Sequence, residues 1–95
     1  MKRKYEGIIV LNTKGKEESV ESMVQNVSEQ LSTEGAEVET IEQMGRRKFA
    51  YNARHLEAGY YVNYKFEAEP EAINRIQTRL KLNNDVFLQH YQRLN

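Results

Sequence analysis

Apolar and polar positions along this chain change period four times, and each change marks an element boundary. Residues 4–11 alternate, with Gly7, Ile9 and Leu11 on one side and Ile8 and Val10 on the other. Both sides carry apolar groups, which fits a central strand. Asn12 to Lys16 reads as a loop. Over residues 17–33, Val20, Met23, Val24, Val27 and Leu31 repeat at helical spacing, with Glu21, Gln25 and Glu29 on the opposite side. Glu17 and Glu18 suit the positive end of that helix, and Gly35 ends it.

A second strand begins at residue 36 and runs through Gly45 into a basic stretch. Val38 and Ile41 break strict alternation, which predicts a bulge or bend near Thr40. Asn52 to Ala58 reads as a hairpin tip. Residues 59–67 return as a third strand, with Tyr60, Val62, Tyr64 and Phe66 on one face and Tyr61, Asn63 and Lys65 on the other. Pro70 opens a second helix lined by Ile73, Ile76 and Leu80, and late cations suit its end. After the turn Asn83-Asn84-Asp85, residues 86–92 form a last strand, with Val86 and Leu88 on one face and Phe87 and Tyr91 on the other.

Strand, helix, strand, strand, helix, strand is an α+β order. Right-handed crossovers fold it into a ferredoxin-like β-α-β-β-α-β sandwich. A four-stranded antiparallel sheet then carries two helices on one face and leaves the other bare. Ile8, Val10 and Tyr61 fall on the bare face, where so much apolar surface calls for a partner. The chain's 95 residues make a single domain spanning 1–95.

Formal net charge is zero, with 14 Lys and Arg against 14 Asp and Glu. A binder held to nucleic acid by bulk positive charge is thereby disfavoured. The charges are nevertheless segregated. Lys2, Arg3 and Lys4 crowd the start, glutamates dominate residues 17–42, and Arg46, Arg47, Lys48 and Arg54 restore positive charge around the hairpin. Guanidinium groups on a two-stranded ribbon suit phosphate. Arg3, Lys4, Arg46, Arg47, Lys48 and Arg54 are therefore the candidate RNA-contact residues.

No cysteine is present, so thiol catalysis and thiolate metal sites are excluded. His55 and His90 are far apart in sequence, and no nucleophile motif, phosphate-cradling glycine loop or metal spacing occurs. The expectation is a protein that is not an enzyme and holds no cofactor and no metal. Ile8-Ile9-Val10-Leu11 is too short for a membrane span or a signal peptide, so a soluble cytoplasmic protein is expected.

Several stretches together resemble the bacterial small-subunit ribosomal protein family S-six. They are Arg3-Lys4-Tyr5-Glu6, Ile9-Val10-Leu11-Asn12, Gly35-Ala36-Glu37-Val38, Gly59-Tyr60-Tyr61-Val62 and Leu82-Asn83-Asn84-Asp85-Val86. The most specific piece is Gly45-x-Arg47-x-x-Ala50-Tyr51. The resemblance implies a structural ribosomal protein in the platform of the small subunit. It implies binding to 16S ribosomal RNA jointly with a second small protein, S-eighteen. That partner is expected on the bare sheet face and adjoining hairpin, at Ile8, Val10, Tyr51 and Tyr61. The alternative is an RNA-recognition-type module that stacks single-stranded bases on open-face aromatics such as Tyr5 and Tyr61.

Overall fold

In the computed structural model, β1 (Arg3–Leu11), α1 (Val20–Thr33), β2 (Glu37–Ala53), β3 (Leu56–Ala68), α2 (Pro70–Lys81) and β4 (Val86–Arg93) follow in the expected order. The structure describes residues 1–12, 19–53 and 56–94, and only the backbone of residues 48–53 and 56–58. Glu17, Glu18, Arg54 and His55 lie outside the described residues. The sheet order is β2-β3-β1-β4, and all three neighbouring pairs are antiparallel.

The register decides which residues share a face. Tyr5, Gly7, Ile9 and Leu11 of β1 sit opposite Phe66, Tyr64, Val62 and Tyr60 of β3. These rows form the face that meets the helices, where Met23, Val24, Val27, Leu31, Ala72, Ile76 and Leu80 complete the core. Of the expected core positions, Val20 and Ile73 are half-buried at its margin. Gly7 leaves room for a ring. A Cβ there would stand 3.0 Å from Tyr91, whose ring meets Phe66 edge-on at 6.4 Å.

α1 closes on Gly35, whose φ of 95° is readily open only to glycine. The Gly35 amide donates to Ser32 O and the Ala36 amide to Leu31 O, satisfying two carbonyls that the helix end would orphan. Glu34, just before it, lies between two guanidinium groups of α2: Arg79 Nε at 2.6 Å and Arg75 Nε at 3.3 Å. Asn83 ties the following turn to α1 through Asn26 and Gln30, both at 3.1 Å. Val20, the first apolar position of the expected stripe, opens α1, and the expected start at Glu17 lies outside the described residues.

β2 carries irregularities at Glu39 and at Met44, where its register with β3 shifts. The first is the bulge expected near Thr40. At the second, Gly45 has φ 89°, which explains why a glycine stands there. The hairpin strands run further than alternation predicts, with Ala53 opposite Leu56. β4 departs from its expected faces. The shift between Val10 and Leu11 places Val86 opposite Leu11 and Leu88 opposite Val10, with Phe87 as the extra residue. Val86 therefore packs on the core, whereas Leu88 lies on the bare face, 45% exposed.

Two phenols, Tyr64 buried and Tyr91 half-buried, make the fold sensitive to alkali. Tyr64 Oη donates to the Val24 carbonyl at 2.9 Å, and burial pushes the Tyr64 and Tyr91 phenols well above the ordinary tyrosine value. A folded pKa above the unfolded one of about 10 means stability fully present below that pH and lost as pH rises toward the folded value. Urea midpoints should therefore fall above about pH 10. Tyr64→Phe should soften that fall and cost about 1 kcal/mol at neutral pH, because the Val24 carbonyl loses a donor.

Candidate nucleic-acid and partner interface

The face without helices is built from the alternate positions of the same strands. Val10 lies between Tyr61 of β3 and Leu88 of β4, and Ile8 between Asn63 and His90. One step further along, Glu6 lies between Lys65 and Gln92. On the β2 side, Glu42 is opposite Asn63 and Gly45 opposite Tyr61. The face is thus charged at the rim where β1 begins and apolar toward the rim where β1 ends.

Val10 is only 3% exposed although no helix covers it, because its neighbours shield it. Ile8 and Tyr61 are half-buried. The Tyr51 side chain lies outside those described. Tyr5 faces the helices, 8% exposed, and stacks on Phe66 at 5.8 Å. It is therefore not available to stack a base, which removes one of the two aromatics named for the single-strand alternative.

The candidate cations divide into two groups at opposite ends of the sheet. Arg46 pairs with Tyr60 and Arg47 with Gly59, whereas Arg3 pairs with Ala68 and Lys4 with Glu67. Eight residues of β3 separate Tyr60 from Ala68, about 26 Å at the usual strand rise. Arg46 and Arg47 are both exposed, and alternation places Arg47 in phase with Tyr61 on the bare face. Lys48 continues β2 opposite Ala58, but its side chain, like all of Arg54, lies outside the described residues.

The surroundings of the two groups differ. Lys4 stands 3.7 Å from Glu39, and Lys2 donates to Glu37 at 2.6 Å. Glu37 holds the Lys2 ammonium above the ordinary lysine value, through that hydrogen bond first and its charge second. Such exposed pairs add little stability, but they occupy cations with carboxylates. Arg47 lies in phase with the apolar strip, and Arg46 beside it is in phase with Tyr60 on the helix side.

The family model described as "Ribosomal protein S6" matches residues 4–89. The chain belongs to the ribosomal protein S6 family. It is 48% identical over 90 residues to the small ribosomal subunit protein bS6 of Akkermansia muciniphila, covering 95% of this chain and 96% of that one. It is 34% identical to the bS6 of Carboxydothermus hydrogenoformans, covering 90% of each chain. The crystal structure of 30S ribosomal protein S6 from Thermotoga maritima superposes with a TM-score of 0.89 at 21% identity, over 99% of this chain and 89% of that one. The C-terminal domain of MgtC from Mycobacterium tuberculosis shares the fold alone, at a TM-score of 0.64 and 14% identity over 97% of this chain and 87% of that one.

Membership in the S6 family makes the chain a structural component of the small ribosomal subunit, hence cytoplasmic, and not an enzyme. Among the described residues no helix is long and apolar enough to cross a membrane. Sequence reasoning left open whether Phe87 and Tyr91 or Val86 and Leu88 supply the last strand's share of the bare face, and the β4 bulge gives it Leu88 without Val86. One position escaped it: Asn63 is buried there at 6% exposure, which nothing in its residue type announces.

Proposed function

We propose that this S6 family member binds 16S ribosomal RNA together with S-eighteen, using two contiguous surfaces. The observation that carries the reading is adjacency. The apolar strip of Val10, Tyr61 and Leu88 runs directly into the β2 segment bearing Arg46 and Arg47. A chain of zero net charge lacks the bulk attraction that holds a lone RNA binder. A basic partner seated on the bare face would add that charge beside these arginines. Ile8, Val10 and Tyr61 then serve the protein contact, with Tyr51 on the adjoining hairpin.

Arg46 and Arg47, with Lys48 and Arg54 further along the hairpin, meet the phosphate backbone. Backbone contacts position a protein without reading sequence. Arg3 and Lys4 form a separate contact at the far rim, weakened by the Glu39 carboxylate beside Lys4.

The test is RNA binding by the heterodimer across a salt series. In the double variant Arg46→Gln/Arg47→Gln, affinity should drop for all sequences, and the log–log salt slope should shrink by about 0.9 per lost phosphate contact on duplex RNA. Arg3→Gln/Lys4→Gln should change the slope less. An unaltered slope in the first double variant would take the hairpin arginines out of the RNA contact.

A further inference from the structure

The bare face holds a polar group that the isolated chain leaves unfinished. Asn63 lies in central strand β3, between Ile8 of β1 and Glu42 of β2, and its residue is 6% exposed. Its Nδ2 donates to Glu6 Oε2 at 2.9 Å. A carboxylate only accepts, so that bond fixes the amide orientation and leaves Oδ1 on the other side. Oδ1 is buried and has no hydrogen-bond partner. Buried polar atoms are almost always paired, and one that is not is costly.

Side-chain charge near Asn63 indicates what would complete it. Glu6, Glu42 and Glu67 share this face with Lys65, whereas Lys2 and Lys4 are taken up by Glu37 and Glu39. The neighbourhood is an acidic surround with an unpaired, buried acceptor at its centre, bordered by Ile8 and the apolar strip. A cationic donor suits both features. A guanidinium or ammonium could bond Oδ1 while its charge is balanced by the glutamates.

The geometry points to Asn63 as the polar anchor of the bare face: its Oδ1 accepts a hydrogen bond from an Arg or Lys side chain of the basic partner. The inference rests on the partner reading above and adds the residue that specifies register. The apolar strip favours burial without fixing position. A buried acceptor that only a correctly placed donor can satisfy penalises every other docking. Oδ1 is buried in the free chain, so docking must displace whatever covers it.

The experiment measures heterodimer affinity by calorimetry with purified S-eighteen from the same organism, using the 95-residue chain and Asn63→Leu. Leucine removes the orphaned acceptor, which offsets the loss of the Nδ2 bond to half-buried Glu6, so the free fold should keep most of its stability. Affinity should fall about tenfold to a hundredfold, the range for leaving one buried charged donor unpaired. Parent-level affinity in Asn63→Leu would overturn the anchor while leaving the partner reading intact. No binding by the parent chain would instead overturn the partner reading, and the anchor with it. Should Asn63→Leu fail to fold, the Asn63 side-chain amide in the parent chain decides. A distinct shift of its NMR signals on adding the partner supports the anchor, and unmoved signals overturn it.

Discussion

Leu80→Ala should lower the unfolding free energy by about 2–5 kcal/mol, the range for removing a fully buried leucine and leaving a cavity. Leu80 has no exposed surface and sits in the last turn of α2, where it meets the sheet with Ile76 and Ala72. Its backbone is pinned from beyond the helix, because the Asn83 amide donates to the Leu80 carbonyl at 3.0 Å. Asn83 in turn holds α1 through Asn26 and Gln30. The helix end therefore has little freedom to move inward and fill the space, which favours the upper part of the range. In a domain of this size each kcal/mol lowers the melting temperature by about 4–8 °C. Urea denaturation should show a reduced midpoint at unchanged slope. Ile73→Ala, at the half-buried margin of the same helix, should cost distinctly less. Equal effects at the two positions would mean that the buried face of α2 is assigned wrongly.

The α2 face was legible because Ile73, Ile76 and Leu80 repeat at helical spacing with polar residues between them. Gly35 was legible for a similar reason: a glycine after a periodic run has one common use, the left-handed helix end. The bulge near Thr40 showed as the three-residue step from Val38 to Ile41. β4 hid its bulge. Val86, Phe87 and Leu88 are all apolar, so alternation cannot tell which of them is the extra residue.

The candidate site was less readable than the fold, because it depends on register. The local pattern around Arg3 says that β1 begins there. Only the pairing of Arg3 with Ala68, and of Arg46 with Tyr60, shows that the two basic stretches occupy opposite rims. Sequence proximity to a strand end carries no information about which rim that end reaches. Val10 is a further case. Its phase placed it correctly on the face without helices, but phase does not report shielding by Tyr61 and Leu88 across the sheet. Its 3% exposure changes which substitution can test that face.

Ile8→Asp should leave the fold in place and abolish pairing with S-eighteen. Ile8 and Val10 share the face, but an aspartate at Val10 would be buried almost completely in the free chain, a charge without a partner. That variant would confuse unfolding with loss of contact. Ile8 is half-buried, so a carboxylate there can still reach water in the isolated protein. Docking would remove that water, and the cost of stripping a carboxylate against an apolar surface outweighs a contact worth roughly 25 cal/mol per Å². The added charge is negative and the expected partner basic, so long-range attraction rises in the variant. A lost complex would therefore report the broken apolar contact rather than repulsion. Leu88→Asp, on the same face at 45% exposure, should act in the same direction. Circular dichroism should match the parent in both variants, pull-down of S-eighteen should fail, and RNA affinity should fall with it. A well-folded Ile8→Asp chain that still captures S-eighteen would place the partner on another surface, with the hairpin that carries Tyr51 the next to test.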